Sequence, residues 1–398
     1  MIHNSIYLDH ASTTPVDERV VRKMTPYFEL VYGNPSGLYK QSREAKKAVT
    51  QSRKITAGFL NSKPEEIIFT SGGTESDNLA ILGVARASGR GHIITSKIEH
   101  SAVLNSCRQL EKEGFAVTYL DVDKDGVVNL EQLKKSLKKD TILVSIMYAN
   151  NEIGTIEPIA KISRIIKDFR SKNKSATPYF HTDACQAALY LNMDVKSIGV
   201  DLLTFNGSKI YAPKGVGVLY IKEGVKIVPV LFGGGQERGL RPGTENVPYI
   251  VAIAEALNII KKHNFKIELK MRDFLINELL KIEHSHLNGS KTNRLPNNIN
   301  ITFDGIEGEA AILYLDRMGI GLSTGSACMS QSLKPSHVIT ALGCDDEAAH
   351  SSLRLSLGRD NTISQMKRVV EAISETVGKL RQMSATYKSN PKSKIDHE

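Results

Sequence analysis

The sequence predicts an α/β protein with a mainly parallel sheet covered by helices on both faces. Three observations carry that expectation. From about residue 65 to 222, strand-length runs are apolar at successive rather than alternate positions, as strands buried on both faces must be. Helical patterns separate those runs, as the crossovers between parallel strands require. Short polar turns follow several runs, and ligands of open α/β sheets bind outside the carboxyl ends of the strands, where such turns lie.

Ile67-Ile68-Phe69 is followed by a glycine turn and a helix from about Glu75. His92-Ile93-Ile94 leads into a helix from about Ser101, and Ala116-Val117-Thr118-Tyr119-Leu120 is the next strand. Residues 141–147 form a strand ahead of a helix over 159–171, an apolar segment closes at Asp183, and Leu202-Leu203-Thr204-Phe205 ends the series. Two helical patterns, 250–262 and 267–282, and the polar loop Asn288-Gly289-Ser290-Lys291 then precede a second strand–helix series opening at Asn298–Phe303. The chain divides into a large domain, 16–262, and a smaller α/β domain made of 1–15 and 263–383. Residues 384–398 lose the apolar period and are expected to be a mobile tail.

At 398 residues and 41% hydrophobic content, the chain can bury a core sufficient for two domains. The 52 Lys and Arg against 43 Asp and Glu give a formal charge of +9, without a basic block interleaved with aromatics, so direct nucleic-acid binding is not expected. Cys107, Cys185, Cys328 and Cys344 have no C-x-x-C spacing, which argues against a structural zinc site and a disulfide framework. No metal centre is expected, and a reducing cytoplasm fits these thiols. The amino terminus lacks an apolar signal core, and no run approaches the roughly eighteen apolar residues of a membrane span. A soluble, cytoplasmic protein is the expectation.

Lys209 follows the strand at Phe205 within Asn206-Gly207-Ser208-Lys209. Desolvation among small residues lowers a lysine's proton affinity and frees its amine for Schiff-base chemistry. Asp183, at another strand end, is placed to hold the protonated ring nitrogen of pyridoxal phosphate, the electron sink such a lysine serves. Thr70-Ser71-Gly72-Gly73-Thr74-Glu75 is a glycine turn into a helix, whose free N–H groups suit a phosphate. His100 opens a helix where its ring can stack on a flat cofactor, and Asn151, after another buried strand, offers an amide to a ring hydroxyl. Cys328 lies in the small, polar stretch Ser326-Ala327-Cys328-Met329-Ser330, the setting of an accessible nucleophilic thiol on a mobile loop. Asp121-Val122-Asp123-Lys124-Asp125-Gly126 imitates a calcium loop, but Gln132 stands where the bidentate Glu belongs, and the stretch is expected to be a turn.

Taken together these segments resemble the cysteine desulfurases of the NifS/IscS type, within the class V aminotransferase group. The resemblance runs from Tyr7-Leu8-Asp9-His10-Ala11 to about Arg381. It rests on Thr70 to Asn78, Glu99-His100, Asn150 to Gly154, Asp183-Ala184-Cys185-Gln186, the Lys209 segment, Arg241-Pro242-Gly243-Thr244-Glu245-Asn246, the Cys328 loop, and His350 to Arg359. It implies an aspartate-aminotransferase-like fold, type I of the pyridoxal-phosphate enzymes, with a mainly parallel seven-stranded sheet. By that similarity Lys209 carries the cofactor, Asp183 pairs with its ring nitrogen, His100 stacks on the ring, and Asn151 and Gln186 bond near the ring hydroxyl. Gly73, Thr74, Asn206 and Ser208 hold the phosphate, and Thr244 reaches across from the second subunit of a homodimer. Arg354 clamps the substrate carboxylate, which Asn34 also contacts.

The implied activity is removal of sulfur from L-cysteine, leaving L-alanine and a persulfide on Cys328. Implied acceptors are an iron–sulfur scaffold protein or tRNA-thiolation proteins, with Cys328 passing sulfur to, or transiently ligating, a cluster. Alternatives at this point are a selenocysteine lyase, a class V aminotransferase, or a sulfur-relay or scaffold protein without catalysis. Three features depart from the family pattern. Ser208 stands where these enzymes usually carry a histidine, Pro242 replaces a small flexible residue, and the scaffold-docking motif is not recognisable in 384–398.

Overall fold

The computed structural model describes residues 5–261, 263–325, 335–384 and 387. The strands are β1 Ile6–Tyr7, β2 Ile67–Thr70, β3 His92–Ser96, β4 Ala116–Leu120, β5 Thr141–Ser145, β6 Tyr179–Asp183, β7 Leu202–Asn206, β8 Gly217–Ile221, β9 Ser285–Leu287, β10 Asn298–Phe303, β11 Ile320–Gly321 and β12 Ser352–Ser356. Seven form the central sheet, in the order β2-β8-β7-β6-β5-β3-β4. Strands β3 to β7 pair in parallel, while β8 runs antiparallel to both β7 and β2. The sheet is therefore mainly parallel, with an antiparallel hairpin at one side.

That topology positions the site. The chain builds β4 on one flank of β3 and then places β5 on the other, so the strand order reverses between β3 and β5. At such a reversal the turns leaving neighbouring strands diverge and open a crevice.

Four of the apolar runs are as buried as their composition demands, every residue of β2, β3, β5 and β6 being buried, whereas β4 at the sheet edge is only partly so. One face of the sheet packs with the helices Lys40–Leu60 and Val247–Ile260 around Phe69, Ile94, Val144, Phe180 and Phe205. The other face packs with Gly73–Ser88 and Ser101–Lys112 around Ile68, Ile93, Leu143 and Leu202. A separate core gathers Ile6 and Leu8 with Leu275, Ile299, Ile301, Leu353 and Val369, beneath the antiparallel sheet β12-β10-β9.

The helix from about Glu75 begins two residues earlier, at Gly73, and the strand over 141–147 ends at Ser145. The calcium-like loop is a turn that satisfies itself: the Asp125 and Val127 N–H groups donate to Asp123 Oδ1, and Gln132 Nε2 donates to Asp121. Among the described residues, no helix is long and apolar enough to cross a membrane.

Candidate active site

The turns at the carboxyl ends of β3, β5, β6 and β7, the start of the helix Gly73–Ser88 and one side chain of β12 line a cavity of about 520 Å³. Lys209 ends the short turn Gly207–Lys209 that leaves β7, and its Nζ donates to the Ser12 carbonyl. Asp183 is the last residue of β6 and is 6% exposed; the Cys185 N–H donates to its Oδ1 at 2.9 Å. Gln186 sits beside it with Nε2 donating to the Ala11 carbonyl at 2.9 Å.

The helix Gly73–Ser88 presents unpaired N–H groups and its positive dipole end to the cavity. A β-carbon at Gly73 would stand 2.8 Å from Cys185 Sγ and 3.1 Å from Asn206 Nδ2, so the cradle exists because residue 73 has no side chain. Across the cavity His100 caps the helix Ser101–Lys112, its Nδ1 accepting from the Ala102 N–H at 3.1 Å. That bond places the hydrogen of the neutral ring on Nε2.

Asn150 shapes the turn after β5. Its Oδ1 accepts from the N–H groups of Glu152 and Ile153, while its Nδ2 donates to the Ile98 carbonyl of the turn after β3. The two turns are thereby locked together, and Asn151 lines the cavity. Arg354 arrives from β12: Nη1 donates to the Asn151 carbonyl at 3.1 Å, Nη2 to Asp9 Oδ1 at 2.7 Å and to Ser12 Oγ at 2.8 Å. Its Nε is buried without a partner among the described residues.

Beneath the floor, burial raises the Asp77 carboxyl well above the usual range, pushes Glu99 up to about 8, and lowers the His181 imidazole to about 4. Glu99 and His181 are therefore mostly uncharged near pH 7. The residues fit pyridoxal phosphate: a helix start for the phosphate, a buried carboxylate for the ring nitrogen, an amine on the same wall, and a cation with an unsatisfied donor for a substrate carboxylate.

The class-V aminotransferase family model matches residues 6–369. The chain belongs to that family. It is 51% identical over 389 residues to the cysteine desulfurase IscS of Methanosarcina thermophila, covering 96% of this chain and 94% of the relative. With the cysteine desulfurase IscS of Dictyoglomus turgidum the identity is 47% over 397 residues, covering 98% and 99%. Among solved structures, a NifS-like protein superposes with a TM-score of 0.88 at 37% identity, covering 94% of this chain and 99% of that one. SspA in complex with cysteine gives 0.78 at 36% identity, covering 89% and 99%.

In this class-V aminotransferase chain, Gly73, Thr74, His100, Asn151, Asp183, Gln186, Asn206, Lys209 and Arg354 all line the one cavity. Ser208 does not; its Oγ donates to Asn206 Oδ1 at 3.4 Å and so bears on the site through Asn206. Thr244 and Asn34 are exposed and away from the lining, and Asn34 Oδ1 accepts locally from the Ser36 N–H. Cys328 lies outside the described residues, as does most of 384–398; Gly325, Ser336 and His337, on either side of it in sequence, do line the cavity. Sequence reasoning missed Asp77, Glu152, Asp9 and Ser12. Asp77 carried one usable signal: it stands one helical turn after Gly73 and therefore on the same face.

Proposed function

We propose that this chain is an L-cysteine desulfurase that works with pyridoxal 5′-phosphate and carries the released sulfur as a persulfide on Cys328. The observation that carries the proposal is the meeting in one cavity of the Lys209 amine, the buried Asp183 carboxylate, the helix start at Gly73 and the Arg354 guanidinium. The cysteine desulfurases among its relatives, and the solved relative in complex with cysteine, support the substrate.

When bound, pyridoxal phosphate supplies a conjugated cation that stabilises negative charge developing on the substrate carbons. Lys209 carries it covalently. Gly73, Thr74 and Asn206 hold its phosphate, with Ser208 supporting Asn206. Asp183 keeps a proton on the ring nitrogen, His100 lies against the ring, and Asn151 and Gln186 bond near its hydroxyl. Arg354 takes the substrate carboxylate, assisted by Asn34, and the freed Lys209 amine removes the α-proton. The Cys328 thiolate attacks the substrate sulfur. The electron pair of the carbon–sulfur bond stays with the β-carbon, which takes a proton to become the methyl group of alanine, and the protonated Lys209 amine returns a proton to the α-carbon.

The working unit is a homodimer in which Thr244 of each protomer completes the other's phosphate site, consistent with its exposure here. We place it in the cytoplasm, handing sulfur to iron–sulfur assembly or tRNA thiolation. The test is alanine formation from L-cysteine together with borohydride trapping. Cys328→Ala is expected to abolish alanine release while leaving cofactor fixation on Lys209 intact. Undiminished alanine from the Cys328→Ala enzyme sinks the mechanism, and a protein that takes no cofactor sinks the enzyme.

A further inference from the structure

Asp77 lies in the first turns of the helix Gly73–Ser88, is 1% exposed and lines the cavity beside Asp183. Oxygens of the two carboxyl groups and a ring nitrogen of His100 all lie within 4.8 Å of one another. Two ionised carboxylates at that separation, both removed from water, repel strongly, so one proton must be kept between them. The hydrogen bonds decide which group keeps it. Asp183 Oδ1 receives the Cys185 N–H, whereas among the described residues Asp77 Oδ1 is buried without a hydrogen-bond partner and only the Thr204 hydroxyl bears on that carboxyl as a donor.

Among the described residues, His181, Thr204 and Glu99 also bear on Asp77, and none of the three is a fixed cation. His181 Nε2, from β6, is 3.6 Å from Asp77 Oδ1, but that ring is spent on neutral contacts, Nε2 with Thr204 Oγ1 at 3.1 Å and Nδ1 with Ser145 Oγ at 2.8 Å. Burial holds it uncharged at neutral pH. Thr204, from β7, offers Asp77 only a hydroxyl, and Glu99, from the turn after β3, adds a further acid.

We propose that Asp77 is a positioning residue of the cofactor site: a neutral carboxylic acid beside Asp183 that leaves Asp183 as the single, fixed anion beneath the ring nitrogen. The inference rests on the reading that Asp183 pairs with that nitrogen. A lone carboxylate holds the ring proton without a second charge to repel it, and a packed neutral acid excludes the water that would let Asp183 turn away.

The test uses the full-length holoenzyme. The infrared difference spectrum at neutral pH between wild type and Asp77→Asn is expected to show loss of a protonated-carboxyl carbonyl band; Asp77→Ser gives the same difference should the Asn protein not fold. With ¹⁵N-labelled pyridoxal phosphate, the ring nitrogen is expected to stay protonated in the isosteric, neutral Asn variant. In Asp77→Ala it is expected to lose its protonated signal, with cofactor affinity falling at least about tenfold. Absence of the acid band, or a protonated ring and unchanged affinity in the Ala variant, overturns the proposal. Asp183→Ala is the control: if it leaves the ring nitrogen protonated, the underlying reading of Asp183 fails, and the Asp77 proposal with it.

Discussion

Arg354 enters the cavity already paired with Asp9 and Ser12, so a substrate carboxylate must share or displace an existing anion. An Asn at position 9 keeps an acceptor for the guanidinium but removes the competing charge. Asp9→Asn is therefore expected to lower KM for L-cysteine with little change in kcat, read from initial rates of alanine formation; a raised KM means that Asp9 serves as aligner rather than competitor. Glu99 gives a second prediction at this scale. It accepts from Ser96 Oγ at 2.6 Å and from the Met147 N–H at 3.0 Å, yet burial pushes it up to about 8. Between the ordinary glutamate value and about 8 the folded protein holds a proton that the unfolded chain releases, so stability falls as pH rises through that window and levels off above it. Glu99→Gln cannot release that proton. Denaturation of the cofactor-free protein from about pH 5 to about pH 8 is expected to show a flatter dependence in the variant, by about one proton. Lys209, Asp183 and His100 were legible because each lies at or within a few residues of the end of an apolar strand-length run. Asp77 and Glu99 were not, because the burial that raises their carboxyls is supplied by packing from other strands and helices, which no local pattern displays.

Three elements meet at Gly73, where the helix start, Cys185 after β6 and Asn206 at the end of β7 converge with no room for a side chain. Gly73→Ala is expected to push back Asn206 and Cys185 and to weaken pyridoxal phosphate binding at least about tenfold, the loss of one or two well-made hydrogen bonds. Adding Cys185→Ala relieves the 2.8 Å clash but not the 3.1 Å one, so fluorescence titration of the double variant is expected to recover part of the affinity. Full affinity in Gly73→Ala alone contradicts the idea that this glycine makes the cradle. Gly154 plays a different part: its φ of +71° lies where other residues are strained, and a β-carbon there would meet the Asn298 side chain at 2.6 Å. That turn is what carries Asn151 to the cavity. At this scale the bounds of β2, β3, β4, β5, β7 and β10 were legible within one or two residues as continuous apolar runs, whereas the antiparallel β8 and the strands β9, β11 and β12 were not read. Nor was the helix Lys40–Leu60. Its inner face is built from Ala45, Val49, Ser52, Thr56, Ala57 and Leu60, mostly small or hydroxylic side chains that let it lie close to Val247–Ile260 but give a faint period.

Across the whole molecule, the antiparallel sheet supplies Arg354, the proposed substrate-carboxylate ligand, to a cavity whose Asp183, Asn206, Lys209 and Gly73 come from the large sheet and its helices, so the proposed activity depends on how the two cores dock. Docking is secured by polar bridges such as Asn298 and Asn300 Nδ2 donating to the Glu152 carbonyl. Large apolar side chains left in water concentrate in two stretches of the chain: Phe28, Leu30, Tyr32, Leu38 and Tyr39, and Val228, Leu231 and Phe232. Leu38 and Phe232 are each 89% exposed, a costly arrangement for an isolated chain. The second stretch runs on towards Thr244, the residue proposed to serve the neighbouring protomer's phosphate site. If a second copy covers these stretches, one lesion has two consequences. Leu38→Glu with Phe232→Glu is expected to sediment as a monomer and, at the same concentration, to bind pyridoxal phosphate more weakly, because each site loses the partner's Thr244. Thr244→Ala in the intact dimer is expected to weaken binding to a similar degree without changing sedimentation. A dimer that survives both charge substitutions places the interface elsewhere, and a Thr244→Ala dimer with unchanged affinity leaves each phosphate site complete within its own chain.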